Sequence, residues 1–182
     1  MVKELFKFYK IPLLISLVLF IVMASLISFG SVLDVLQILL GTLLGAIFLD
    51  LEFFLYAYLF EPQLEFSKTL LGYLKHKDIG GAIIYVNYHK EDIKDKSLNS
   101  AVFQLLMVAV SALVIFATTY MFIKVFVLSI FANSIYRGIE NYYHGKSDEW
   151  FWVFKNKPTR RGVGIFFISL TLILIFFLTV FQ

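Results

Sequence analysis

Residues 101–136, AVFQLLMVAVSALVIFATTYMFIKVFVLSIFANSIY, decide how this chain is organised. The stretch carries a single charge, Lys124. As one α-helix its 36 residues would be about 54 Å long at about 1.5 Å per residue, against a bilayer core of about 30 Å. It is therefore either one long helix protruding from a membrane or two short helices joined by a tight turn. The basic residues around it choose between these. They form three clusters: Lys3, Lys7 and Lys10; Lys68, Lys75, Lys77, Lys90, Lys94 and Lys96; and Arg137, Lys146, Lys155, Lys157, Arg160 and Arg161. Only Lys124, of the 16 Lys and Arg residues, lies outside them. Short loops rich in Lys and Arg stay on the cytoplasmic side of a membrane. One crossing within 101–136 would put the second and third clusters on opposite sides; two crossings put all three inside. The sequence thus predicts a turn near Ala117-Thr118-Thr119-Tyr120, spans at 100–117 and 120–136, and Lys124 snorkelling at the outer surface.

Three more apolar blocks lie outward from this one. Residues 11–29 and 162–181 carry no charge, and residues 35–60 are apolar except for Gln37, Asp50 and Glu52. Each reaches the roughly 20 residues that a spanning helix needs. Pro12 sits near the start of the first block, where a missing N–H costs little. That block has the basic flank of a signal peptide, but its apolar core is long and no small-x-small cleavage site follows, so it reads as a retained span. The expected fold class is all-α: a polytopic helical membrane protein with five transmembrane helices in a single membrane domain, residues 1–182. The N-terminus is cytoplasmic, and the inner loops are 61–97 and 137–161. The positive-inside bias suits a bacterial plasma membrane.

Composition points the same way. Hydrophobic residues make up 60% of the chain and charged residues 16%, against about 45–50% and about 25% in soluble domains. A soluble fold of 182 residues cannot hide that much apolar surface, which excludes a soluble enzyme and a disordered tail. There is no Cys, which excludes thiolate chemistry and a disulfide-stapled secreted module.

In the first inner loop, Leu64, Leu70, Leu71 and Leu74 recur at roughly helical spacing with Lys68, Lys75 and Lys77 beside them. This predicts a short amphipathic helix on the inner membrane surface, broken at Gly80-Gly81. Residues 82–88 follow as a second apolar piece, helix or strand, and then a charged connector at 89–97. The connector's acids nearly cancel its lysines, so nucleic acid is not an expected partner. In the second loop, Trp150 and Trp152 precede Lys155, Arg160 and Arg161. Aromatic rings beside basic residues form an interfacial belt. Generic anchoring is the preferred reading, with a specific site for anionic lipid headgroups as the sharper one. A protein partner or a second copy of the chain completes the set of expected partners.

Asp50 and Glu52 are carboxylates inside a span. Such groups cost about 2.5 kcal/mol or more and mark functional sites by default. At about 100° per residue they point about 200° apart, so one site collects both only if the helix is distorted. Gly41 and Gly45 share a stripe with Glu52 and permit close helix approach. Asn99, Gln104, Asn133 and Arg137 reach the same depth in the five-span arrangement. The expectation is a buried polar cluster of Asp50, Glu52, Asn99, Gln104, Asn133 and Arg137, with Arg137 as counter-ion to one acid. Catalysis would have to use Asp50 and Glu52. The histidines, His76, His89 and His144, all lie in inner loops, and no HExxH, GxSxG or P-loop pattern is present.

Residues 44–58 (LGAIFLDLEFFLYAY), 99–104 (NSAVFQ) and 132–138 (ANSIYRG), in that order, resemble membrane-bound metal-dependent hydrolase-like proteins of the YdjM type. The resemblance covers about residues 40–160. It implies a small multi-span bacterial membrane protein with an Asp-Leu-Asp-His-like motif in the second span, a His before Ser-Ala at the third and a His-x-x-x-Asp at the fourth. Carried over, these ligand positions fall on Asp50, Glu52, Phe53, Asn99, Asn133 and Arg137. Asp50 keeps its identity and Glu52 keeps a carboxylate. Phe53 cannot bind metal, Asn99 and Asn133 are poor neutral ligands, and Arg137 puts a cation where a carboxylate would meet the metal. The resemblance thus implies a relative without metal or other cofactor, in which a positive side chain replaces the ion's charge. The expected function is non-catalytic, with a structural or a partner- or lipid-binding role. The alternatives are a metal-dependent lipid-active hydrolase that draws on His89 or His144, and a small transporter or channel subunit.

Overall fold

The structure is a computed structural model that describes residues 2–26, 31–90, 93, 96–117 and 120–181, with side chains from residue 7 onward. Among the described residues it is all-helical. The helices are α1 (Val2–Leu26), α2 (Val32–Phe48), α3 (Leu51–Leu55) continued by a π-helical turn (Tyr56–Phe60), α4 (Glu65–Lys75), α5 (Ile79–His89), α6 (Ala101–Ala117), α7 (Met121–Tyr143), the short α8 (Ser147–Trp150) and α9 (Arg160–Val180).

Helix α7 is the axis of the bundle and packs against α1, α2, α6 and α9. Its most apolar stretch is 61% buried, whereas those of α1 and α9 are 22% buried and lie at the rim. Small residues let α7 be surrounded. Ser129, Ala132, Asn133, Ser134 and Gly138 are all buried, and small side chains let backbones approach closely. The tightest approach is α2 on α7. A methyl at Gly41 would sit 2.9 Å from Val125 Cγ1, and one at Gly45 would sit 3.0 Å from the backbone N of Ile130. Helix α6 runs antiparallel to α7, since Gln104 near its start bonds Ser134 in the second half of α7.

Among the described residues, three helices are long and apolar enough to cross a membrane: Lys7–Leu26 of α1, then α7 and α9. Helix α2 with Leu51–Phe60 makes a fourth if the bent pair is one span, and α6 is shorter at 17 residues. Outward-facing apolar residues such as Leu14, Ile21, Leu40, Leu106, Ile168 and Leu172 stay exposed on this surface. A continuous apolar exterior of this kind suits lipid as the surrounding medium.

The structure corrects several boundaries. The block expected at 35–60 is not one helix: α2 and Leu51–Phe60 meet at Leu49-Asp50 with a 50° bend. Pro12 lies inside α1, not at its start, where it removes one intrahelical hydrogen bond. Helix α7 continues past residue 136 to Tyr143. Helix α6 ends at Ala117 and Tyr120 caps α7; the expected turn residues Thr118 and Thr119, like residues 27–29 of the first span and Lys94, lie outside the described residues.

The first inner loop also departs from expectation. The break falls at Lys77, which adopts a positive φ of 59°. Gly80 and Gly81 instead belong to the first turn of α5, which Asp78 caps by accepting from the Gly81 N–H at 2.8 Å. Part of the apolar face of α4 packs inward. Phe66 and Leu70 are buried with Phe53, Ala57, Ala82, Val86 and Ile93 in a satellite core. The hairpin of α4 and α5 is thereby docked onto the π-helical turn.

Candidate functional site

The bend in the second expected span positions the site. Asp50 lies at the break and is 7% exposed. Its Oδ1 is 2.7 Å from Arg137 Nη2 of α7, and its Oδ2 accepts a hydrogen bond from the Tyr9 hydroxyl of α1. Arg137 Nη1 also donates to Asn99 Oδ1 at 3.3 Å. The amide of Asn99 passes the network on, donating through Nδ2 to Glu52 Oε2 at 2.6 Å. Glu52, 5% exposed, further accepts the backbone N–H groups of Leu98 at 2.7 Å and Asn99 at 3.2 Å. A chain of contacts thus runs from Tyr9 through Asp50, Arg137 and Asn99 to Glu52. It joins α1, the α2–α3 break, α7 and the entry to α6.

The two acids are stabilised differently. Asp50 faces a cation and a hydroxyl. Glu52 faces the segment just before α6 and is held by neutral donors, the N–H groups of Leu98 and Asn99 and the Asn99 amide. On an unbroken helix the two would point apart. The bend at Leu49-Asp50 and the bridging Asn99 bring both into one network without a direct contact between them.

The other expected members go elsewhere. Gln104 is fully buried, donates to the Ser134 carbonyl at 2.9 Å and accepts from Trp150 Nε1 at 3.0 Å. Asn133 is also fully buried, but its amide turns back along α7 to the Ser129 carbonyl at 2.9 Å. Trp150 was expected at the membrane interface and is instead 2% exposed, because Gln104 supplies the acceptor its indole needs in the interior. Trp152 is 40% exposed and donates to the Lys96 carbonyl at 2.9 Å. Lys155, Arg160 and Arg161 are exposed, and Arg160 lies over the Tyr142 ring at 5.7 Å from its centroid. Gly41 and Gly45 face α7, while Glu52, beyond the break, leaves their stripe and faces residues 98–99.

Sequence reasoning missed Tyr9. Between Lys7 and Lys10 it reads as an interfacial aromatic, and only the return of α1 against the bend brings its hydroxyl to Asp50. It also missed Ser16, Thr42 and Ser129. The Thr42 carbonyl of α2 accepts from Ser16 of α1 at 2.9 Å and from Ser129 of α7 at 2.7 Å. The signal available was the position of Thr42 within Gly41-x-x-x-Gly45, where close approach exposes backbone oxygens to neighbouring helices.

The residues do not fit a metal ion. Among the described residues no three His, Asp or Glu side chains converge on a point that could hold one. Arg137 already supplies a positive charge at 2.7 Å from Asp50. Phe53 is buried in the satellite core, Asn99 is spent between Arg137 and Glu52, and Asn133 reaches neither acid. Each oxygen of Asp50 and of Glu52 already accepts a hydrogen bond or an ion pair. A cavity of about 140 Å³ adjoins the pair. Tyr9, Asp50, Asn99 and Arg137 line it from the bundle, and Lys90, Lys96, His144 and Lys146 line it from the loops. No protein-family model matches this chain, and no curated protein or solved structure matches it.

Proposed function

We propose that this chain is a non-catalytic membrane protein whose interior polar network pins its helices and supports a binding role. In this reading it crosses a bacterial plasma membrane five times, with α6 as the shortest crossing. Helix α6 spans about 26 Å at about 1.5 Å per residue, close to a core of about 30 Å that a bilayer thins to match. The N-terminus and the basic loops face the cytoplasm. The chain is a relative of the YdjM-type hydrolase-like proteins in which Arg137 has taken over the charge of a metal ion.

One observation carries the non-catalytic reading: the 2.7 Å pair between Arg137 and Asp50, closed on its other side by Tyr9. It leaves the best-placed carboxylate with a permanent counter-ion and a hydroxyl donor. Metal analysis of the purified protein tests this reading. The expected result is no stoichiometric zinc, manganese or similar ion. A stoichiometric metal that disappears in Asp50→Ala would overturn it.

A further inference from the structure

We propose that the groove between α7 and α9 holds an acyl chain of an anionic phospholipid, with the lipid phosphate on Arg160 and Arg161. The groove opens on the outside of the bundle and measures about 350 Å³. Ile139, Tyr142 and Tyr143 line it from the last turns of α7, and Gly164, Ile168 and Leu172 line it from α9. The three α9 residues recur every four and so form one stripe. Thr171 also lines the groove, but its hydroxyl is spent on the Phe167 carbonyl at 2.8 Å. The α9 wall thus offers no free polar side chain, and water is a poor occupant for such a lining.

Gly164 gives the groove its space. A methyl added at Gly41 or Gly45 would meet α7, and one at Gly138 would meet Phe167. At Gly164 it would meet nothing within 4 Å, although glycine inside a helix is destabilising relative to Ala. Helix packing does not use this missing side chain; the groove does.

Arg160 and Arg161 stand at the head of the stripe, one helical turn before Gly164. Both are exposed, and neither is paired with a carboxylate among the described residues. Of the acids in the connector from α7, Asp148 is paired with Lys157 at 3.5 Å and Glu149 lies in α8. The Arg160 guanidinium lies over the Tyr142 ring, 5.7 Å from its centroid, which ties it to the α7 wall. The carboxyl end of α7 and the amino end of α9 carry opposite half charges, so they offset each other and the arginines set the sign. An Arg fork suits phosphate oxygens, and two guanidinium charges repel the extra cation of a zwitterionic headgroup. Arg161 to Leu172 is about 16 Å along the helix at about 1.5 Å per residue, against about 15 Å for half of a core of about 30 Å. That is the depth of one leaflet, hence of one acyl chain. A spanning helix from a second copy would instead cover α9 along its whole length.

That the groove faces lipid rests on the membrane reading proposed above; its apolar lining and its unpaired arginines do not.

The test uses the full chain in a neutral detergent, with lipid binding counted by native mass spectrometry. The probes are phosphatidylglycerol and phosphatidylcholine with the same acyl chains. The first phosphatidylglycerol is expected to bind about tenfold more tightly than the first phosphatidylcholine, about 1.4 kcal/mol. Arg160→Gln combined with Arg161→Gln is expected to erase that preference and leave phosphatidylcholine unchanged. Lys68→Gln combined with Lys75→Gln, on the exposed face of α4, is expected to change neither. Gly164→Leu fills the groove and is expected to weaken the first site for both lipids about tenfold. Equal affinity for the two lipids, equal losses in the arginine and lysine variants, or unchanged binding in Gly164→Leu overturns the proposal. A dimer of the parent chain that Gly164→Leu dissolves assigns the groove to a second copy and overturns it too. If Gly164→Leu does not fold, the arginine and lysine variants decide. Carbonate extraction of membranes reads separately: a chain released by carbonate loses the membrane reading, and a retained chain without lipid preference loses the groove site alone.

Discussion

Arg137→Met is the sharpest perturbation of the network. It removes the 2.7 Å pair with Asp50 and the bond to Asn99 while keeping most of the side-chain volume. The Asp50 side chain is only 10% exposed and that of Arg137 15%, so solvent does little to replace the lost partner. Removing one member of a buried ion pair costs about 3–5 kcal/mol, because the other charge stays buried and uncompensated. Tyr9 still donates to Asp50, which places the expected loss near the lower end, about 3 kcal/mol. A chain of this size loses about 2–4 °C of Tm per kcal/mol, so the melting temperature in detergent should fall by about 6–12 °C.

Asp50→Asn is the complementary change. It leaves a cation at the cavity edge that keeps Asn99 as a partner, at a cost of about 1–3 kcal/mol. The combined variant has neither charge. It should be more stable than Arg137→Met alone, with a coupling of about 1–3 kcal/mol between the two positions. Thermal unfolding of the four proteins, followed by tryptophan fluorescence, closes the cycle. Losses that simply add in the double variant, or an Arg137→Met that melts with the parent protein, would refute the claim that this pair compensates a buried charge.

Two further outcomes follow from the packing and the topology. Gly45→Ala places a methyl against Ser129 and 3.0 Å from the Ile130 backbone, so it should destabilise by about 1–3 kcal/mol in the same melting assay; Gly72→Ala, with nothing within 4 Å of the added methyl, should be neutral or raise stability by up to about 1 kcal/mol through helix propensity. Because the chain has no native Cys, single cysteines report sidedness cleanly: Ser31→Cys and Tyr120→Cys should react with an impermeant maleimide from outside intact cells, and Lys75→Cys and Lys157→Cys only after the membrane is opened. Labelling of Tyr120→Cys from the inside would reject the α6–α7 pair as two crossings.

The composition and the placement of Lys and Arg were enough to read a helical chain made for lipid, with a break inside residues 101–136. Those signals are legible because they are local or additive: apolar length, the cost of a charge in hydrocarbon, and the side on which basic loops stay. Part of the site was legible for the same reason. Asp50, Glu52 and Arg137 stand out as charges within or beside apolar runs, and a buried carboxylate demands a partner. The face of α2 was readable from Gly41 and Gly45, because small residues at a four-residue spacing mark where a neighbour comes close.

The remainder was not written in any one segment. Nothing in residues 35–60 announces a 50° break at Leu49-Asp50. The break coincides with the place where Asp50 meets Tyr9 from α1 and Arg137 from α7, and both partners are distant in sequence. Trp150 and Gln104 are likewise a pair made by the return of the chain from α7 to α8. As separate residues they read as an interface aromatic and a polar spot in a span, and together they satisfy each other in the interior. Asn99 was expected in the polar cluster, but only the fold sets its amide, which has both a donor and an acceptor, between Arg137 and Glu52. Sequence by itself determined which groups hydrocarbon would not tolerate unpaired. Only the tertiary structure decided who pairs with whom, because a hydrogen bond or an ion pair depends on distances of about 3 Å between side chains that lie tens of residues apart along the chain.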